Sequence, residues 1–298
     1  MKDLKTIRGM PDLYDEDVER ISIVENVCLE TFKSFNFQEF RTPIVENKTL
    51  FQRSVGESSD IIQKEVYEFE DRNGEMLCLR PEGTAGLVRA LITNGLMNDE
   101  IKKFFYLGPM FRYERPQKGR KRQFFQAGAE LIGEESTKSD VEIILLAKTI
   151  LEKLNVKYTL EINYLGKEDS LNSYRTYLRK YLQNFKDELS EKVYSRLQRN
   201  PIRAIDSKDS NIQEIFEKAS DISDFLKKEE KESFKRTIKS LKDLKIDFNL
   251  NKNLVRGLDY YTGTVFEFTV DGLGAQNAVI GGGTVSYTHL RAHETVED

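Results

Sequence analysis

Three short stretches of this chain gather charge and glycine at the ends of predicted strands: Arg80-Pro81-Glu82-Gly83-Thr84, the run from Arg112 to Arg122, and Arg256 to Gly263. Arginine in such places suits phosphate, because its planar guanidinium can bond two oxygens at once and stays charged. Carboxylates in the same neighbourhood suit an amine. A site holding both signs points to a mixed-charge substrate set, such as an amino acid beside a nucleotide. Each residue alone also fits an ordinary structural role. Arg112 and Arg122 fit surface ion pairs, Glu82 a turn, Gln126 and Glu130 a solvated sheet face, and Tyr260-Tyr261 core aromatics. Gly281-Gly282-Gly283 does not end in Gly-Lys-Ser/Thr and so does not match a phosphate loop.

The elements that must position these loops follow from periodicity. Glu16 to Phe35 carries Val18, Ile21, Val24, Cys28, Phe32 and Phe35 at helical spacing. Phe37 to Val45 is extended, and Pro43 suits an edge or an interface better than a sheet centre. Val66 to Glu70 and Glu75 to Arg80 flank Asp71-Arg72-Asn73-Gly74, a hairpin signal with Asn-Gly at its tip; Pro81 ends the second strand and a short helix spans about Thr84 to Thr93. The clearest unit runs from Lys103 to Gly133, a strand, a basic loop and a strand. In its second strand Phe125, Ala127, Ala129 and Leu131 share one face, expected to meet a core. Gln126, Gly128 and Glu130 share the other, with the glycine expected to leave open space over a ligand floor. Ser139 with Glu142 fits a capping box opening a helix to Leu154. Tyr158 to Tyr164 alternates as a half-buried strand.

From about Gly166 to Lys245 the sequence turns charge-rich and helical, broken at Asn200-Pro201, and strand signals return at Phe248 and Thr264 to Val270. The expected organisation is therefore a core over 1–165, an inserted helical module over 166–245, and a second core segment over 246–283. The fold class is α+β, an antiparallel sheet flanked by helices.

With 298 residues and 39% hydrophobic composition the chain can bury one large core and a smaller one. No stretch approaches the ~18 uncharged apolar residues of a membrane span, and Met1-Lys2-Asp3-Leu4-Lys5 lacks a signal peptide's apolar run, so a cytoplasmic address without membrane association is expected. Cys28 and Cys78 have no Cys-x-x-Cys spacing and read as small buried residues rather than disulfide or metal partners. The net charge of -4 argues against a surface broadly basic for nucleic acid, so any RNA contact must use a local patch. One exists: Arg112 to Arg122 holds six cations (Arg112, Arg115, Lys118, Arg120, Lys121, Arg122) and one acid, Glu114.

Long ordered strings carry a family resemblance. LRPEGTAG (Leu79 to Gly86), GPMFRYERPQKGRKRQFFQ (Gly108 to Gln126) and LVRGLDYYTGTVFE (Leu254 to Glu267), with IRGMPD (Ile7 to Asp12) and NPIRAIDSKD (Asn200 to Asp209), resemble the histidyl-tRNA synthetases, class II enzymes, over roughly Ile7 to Gly283. The resemblance implies activation of L-histidine by ATP and transfer to tRNA(His). It implies a homodimer with motif 1 around Pro43 at the interface, and motif 2 over Gly108 to Glu130. Glu82, Thr84 and Gln126 would hold the α-amino end of histidine, with Gly83 in the same loop. Glu130 and Tyr261 would read the imidazole, with Tyr260 beside them. Arg112, Glu114 and Arg120 would bind ATP, accompanied by magnesium, and Arg112 and Arg256 would be the catalytic pair.

After Gly283 the sequence departs from the family pattern, running Thr284-Val285-Ser286-Tyr287-Thr288-His289-Leu290-Arg291-Ala292-His293-Glu294. A catalytic domain cut short, with a non-native tail over 284–298, is the expectation. His289 and His293 have i, i+4 spacing, but His-Glu-x-x-His is not matched and no metal site is expected there. Two other readings are a histidine-sensing regulatory subunit of ATP phosphoribosyltransferase and a synthetase-like sensor domain of a kinase. Retention of Arg112, Arg256 and Tyr260-Tyr261 speaks against the first, and no kinase signature occurs.

Overall fold

The computed structural model describes residues 4–286 except 56–60, 99, 118, 135, 208, 259 and 274–276. The hairpin that carries the floor of the site is its longest strand pair: β5 (Lys102–Phe111) and β6 (Gln123–Ile132) run antiparallel from Lys102↔Ile132 to Phe111↔Gln123. Earlier in the chain come helix α1 (Glu16–Ser34) and two short strands, β1 (Gln38–Glu39) and β2 (Val45–Asn47). Helix α2 (Lys48–Val55) and the hairpin β3 (Tyr67–Glu70) and β4 (Met76–Leu79) follow. The turn of that hairpin is the predicted one: Asp71 Oδ1 accepts from the amides of Asn73 and Glu75, and Gly74 takes φ +88. Helix α3 (Thr84–Thr93) then leads into β5.

After β6 come α4 (Thr137–Lys153) and β7 (Thr159–Tyr164). The helical segment holds α5 (Glu168–Gln183), α6 (Glu191–Arg199), α7 (Ser210–Glu217) and α8 (Lys228–Asp243). Strands β8 (Asn249–Leu250), β9 (Tyr261–Thr269) and β10 (Ala278–Val285) close the described chain.

The fold is mixed α+β, as expected, with three sheets ordered β1-β5-β6, β2-β4-β3 and β10-β9-β7-β8. Pairing is antiparallel except at two short joints, β1 with β5 and β7 with β8, which are parallel. The first two sheets are stitched at Arg80, whose amide donates to Ile44 O while its carbonyl accepts from Phe111 N.

Two details differ from the sequence reading. The cap of α4 is Ser136, which accepts from Ser139 N at 3.3 Å, so Ser139 lies inside the first turn rather than at its start. The apolar face of β6 is only half covered: Ala129 and Leu131 pack with Cys28, Phe32 and Phe105, but Phe125 is 42% exposed and Ala127 is exposed. Helix α1 crosses one end of that face and leaves the other bare. The helical segment shares its cores with the sheet: Leu241 of α8 packs with Leu160, Ile162, Phe266 and Phe268, and Leu171, Tyr174 and Leu178 of α5 pack with Val265. Glu230 pins the two helix starts together, accepting from the amides of Lys167 and Lys227 and from Ser170 Oγ. Cys28 and Cys78 are buried, and burial pushes their thiols up to about 11 and about 12. No helix among the described residues is long and apolar enough to cross a membrane.

Candidate active site

Strand β4 ends at Leu79, and the next five residues bring an acid to a helix start. Glu82 is 2% exposed; its Oε2 accepts from Thr84 N at 2.7 Å and its Oε1 from Ala85 N at 2.9 Å, so the carboxylate, one residue ahead of the cap position Gly83, takes up two free amides at the start of α3. Burial raises its proton affinity, against the two amides and Arg112, which lower it. Thr84 Oγ1 donates to Glu130 Oε1 at 2.7 Å and lies 3.3 Å from the Tyr106 hydroxyl. Glu130 is pushed up to about 8, chiefly by burial and next to Glu82, while Thr84 and Tyr106 bond its ionised form. Two enclosed carboxylates thus face one hydroxyl pair.

Tyr106 is the residue the sequence reading missed. It stands opposite Gly128 in the β5–β6 register, and a Cβ at either Gly128 or Gly83 would overlap its ring. The space expected above Gly128 for a ligand is therefore filled from the neighbouring strand, and the glycines exist to admit a tyrosine. Burial, then Glu130 and Glu82, hold its phenol well above its ordinary range. No pattern along the chain marked it, because Gly83 and Gly128 come to lie beside this strand aromatic only in the fold. Gln126, two residues before Gly128 on the same face, has a buried Oε1 with no hydrogen-bond partner. That unmet acceptor suits an incoming N–H donor.

The basic loop closes one side. Arg112 Nε donates to Pro81 O at 2.9 Å, and its guanidinium lies 5.1 Å from the Phe124 ring. Glu114 sits between two cations, 2.7 Å from Arg120 Nη1 and 3.9 Å from Arg112 Nη1. Arg122 stacks on Tyr113 at 3.8 Å and donates from Nε to Glu114 O at 3.1 Å. The start of the chain props this loop, since Gly9 O accepts from the amides of Arg122 and Gln123. Lys118 lies outside the described residues.

The third stretch closes the other side. Arg256 Nη1 pairs with Glu267, and its guanidinium lies 5.5 Å from the Tyr261 ring. Burial raises the Tyr261 phenol above its ordinary range, against the opposing charge of Arg256 and with added push from Glu130 and Glu82. Tyr260 points elsewhere: it is 4% exposed, in a core with Leu50, Phe51, Cys78 and Ala85, with its ring 4.8 Å from that of Tyr261. Asp259, His289 and His293 fall outside the described residues. Glu82, Gly83, Thr84, Gln126, Glu130 and Tyr261 are thus brought together, with Arg112 tied beside Glu82 and Arg256 tied to Tyr261.

A family model for histidyl-tRNA synthetase matches residues 9–293. This chain belongs to the histidyl-tRNA synthetase family. It is 45% identical over 283 residues to a histidine--tRNA ligase of Hydrogenovibrio crunogenus and 46% identical over 284 residues to one of Parasynechococcus marenigrum. Each comparison covers 95% of this chain and 66% of the relative, so the chain spans about two thirds of their length. Among solved structures, an apo histidyl-tRNA synthetase of S. aureus superposes with a TM-score of 0.76 at 34% identity, covering 97% of this chain and 68% of that one. A protein of Bacillus halodurans described as an ATP phosphoribosyltransferase regulatory subunit/histidyl-tRNA synthetase shares the fold, with a TM-score of 0.69 at 20% identity.

Proposed function

We propose that this protein activates L-histidine with ATP to histidyl-adenylate and transfers the histidyl group to the 3′ end of tRNA(His), acting as a cytoplasmic homodimer. The observation that carries the reading is the Glu82–Thr84–Glu130 cluster, two enclosed carboxylates joined through one residue, with arginines from separate loops beside it. Glu82 and the unmet acceptor of Gln126 suit the α-ammonium group. Glu130 and Tyr261 suit the imidazole, whose two ring nitrogens need one acceptor and one partner of either kind. Gly83 leaves room for Tyr106 to stiffen that floor, and Tyr260 supports Tyr261 from behind.

The histidine carboxylate attacks the α-phosphorus of ATP, an oxygen–phosphorus bond forms as pyrophosphate leaves, and negative charge grows on the phosphate oxygens. Arg112 and Arg256 stabilise that charge, each such contact being worth roughly 2.7–4 kcal/mol. Arg120 and Glu114, paired with each other at 2.7 Å, join Arg112 in binding the nucleotide. Magnesium would accompany the triphosphate, which supplies most of its oxygen ligands.

Histidine-dependent exchange of labelled pyrophosphate into ATP tests the first step and charging of tRNA(His) transcript tests the second. Exchange that proceeds equally without histidine, or with another amino acid in its place, would overturn the assignment.

A further inference from the structure

Arg256 approaches the site from a loop, and its direction is set by the strands beneath it. Glu267 of β9 and Gly281 of β10 are cross-strand partners. The acid takes Arg256 Nη1, and the glycine presents bare backbone on which the guanidinium lies, since a Cβ at Gly281 would overlap Cζ and both terminal nitrogens. Tyr261 lies against the same guanidinium, its ring 5.5 Å away. After these contacts Arg256 Nε is buried without a hydrogen-bond partner. A buried donor left without an acceptor is costly unless an incoming group completes it. The strand pair therefore holds one edge of the fork and leaves another unspent.

Glu267 is poorly placed to stabilise the sheet by itself. It is flanked by Glu161, its partner on β7, and by Asp206 from the helical segment, both of which disfavour its charge, and the side chains of Arg256 and Glu267 are only 19% and 22% exposed. Pairing charges in such a place costs desolvation that a hydrophobic pair would avoid. What the pair supplies instead is one fixed guanidinium orientation.

We propose that Glu267 is a positioning residue for the adenylation step, holding Arg256 by Nη1 over Gly281 so that its Nε edge meets the substrate phosphate. The inference rests on the histidine-activation reading. Glu267 touches no substrate and acts only through Arg256.

The test compares Glu267→Gln, Glu267→Asp, Arg256→Ala and the double variant Arg256→Ala/Glu267→Gln of the full chain. For Glu267→Gln, kcat of histidine-dependent pyrophosphate exchange should fall about thirtyfold or more while KM for histidine moves less than about threefold, because the Glu82–Glu130 contacts stay intact. Glu267→Asp should recover part of that loss. The double variant should be no slower than Arg256→Ala within about threefold, the non-additivity expected of residues acting as a unit. Losses that multiply, or an unchanged kcat in Glu267→Gln, overturn the proposal. A second arm needs no activity: phenylglyoxal modification followed by mass spectrometry should reach Arg256 about fivefold faster in Glu267→Gln, with exposed Arg20 unchanged. If the parent chain shows no exchange, the histidine-activation reading falls, and the modification rates alone decide whether Glu267 holds Arg256; equal rates would refute it.

Discussion

The Thr84 hydroxyl donates to Glu130 Oε1 at 2.7 Å while the Thr84 amide donates to Glu82 Oε2 at 2.7 Å, so a single residue at a helix start joins both enclosed carboxylates. Backbone and side chain divide the work: the first holds the acid proposed for the ammonium group, the second the acid proposed for the imidazole.

Thr84→Val should therefore separate the two. Valine keeps the shape and the amide bond to Glu82 but removes the donor to Glu130, leaving Tyr106 as its neighbour. Stability should fall by about 1 kcal/mol, and histidine affinity, read by calorimetric titration, should fall roughly tenfold. Unchanged affinity would remove Glu130 from the histidine site.

The same acid gives a pH dependence whose sign is fixed. Glu130 has a folded-state proton affinity raised to about 8 from an ordinary 4.5, so between those values the folded chain binds more protons than the unfolded one. Stability from this group is complete at low pH and is lost as pH rises through that window, on the order of a few kcal/mol at most. Denaturant titrations at about pH 6 and pH 8 should show the parent losing more stability between them than Glu130→Gln does. Parallel behaviour of the two would mean the carboxyl is ionised throughout.

The hairpin of the basic loop was readable because its strands alternate and its loop breaks the alternation with charge. The helix over Thr84–Thr93 was readable because Pro81 forbids continuation of the strand. Tyr106 was not readable as a site residue, since an aromatic in a strand looks like core until the glycines of two other segments are known to lie against it. Nor was the exposure of Phe125, which depends on where α1 stops covering the sheet. The Gly281-Gly282-Gly283 run matched no phosphate loop, and its use emerged only in space: Gly281 receives Arg256 and Gly282 admits the Phe266 ring. Periodicity reports which face a residue is on, and not what the opposing strand puts there.

Gly128→Ala tests the tyrosine-filled gap. The added methyl has no room beside the Tyr106 ring, so overpacking should cost about 1–3 kcal/mol. Combined with Tyr106→Leu, the same alanine should cost less than it does alone. Equal costs in both backgrounds, measured by chemical denaturation, would show that the ring does not occupy the space.

Glu230 carries a stability prediction remote from the site. Burial opposes its charge, but Ser170 and the amides of Lys167 and Lys227 outweigh it and lower its proton affinity. Its contribution is present above the ordinary glutamate range and is lost as pH falls through the folded value. Glu230→Ala should destabilise the chain by about 1–3 kcal/mol at pH 7 and progressively less in acid, because three donors lose their acceptor only where that acceptor was charged. A pH-independent penalty would contradict this.

The last prediction concerns how the start of the chain serves the nucleotide. Gly9 takes φ +84, its carbonyl accepts from the amides of Arg122 and Gln123, and a Cβ there would lie 2.9 Å from Arg122 Cγ and 3.0 Å from Pro116 Cγ. A side chain at Gly9 meets strain in the backbone and crowding against the basic loop at once, at a cost of about 1–3 kcal/mol. That loop holds Arg112, Glu114 and Arg120, proposed to contact ATP, whereas the histidine floor is carried by β4, α3 and the strands β5 and β6. Gly9→Ala should then raise KM for ATP several-fold in pyrophosphate exchange and leave KM for histidine nearly unchanged. Equal rises in both would place the damage in the floor rather than in the loop. No change in either would show that the loop keeps its shape without the support of the amino-terminal segment.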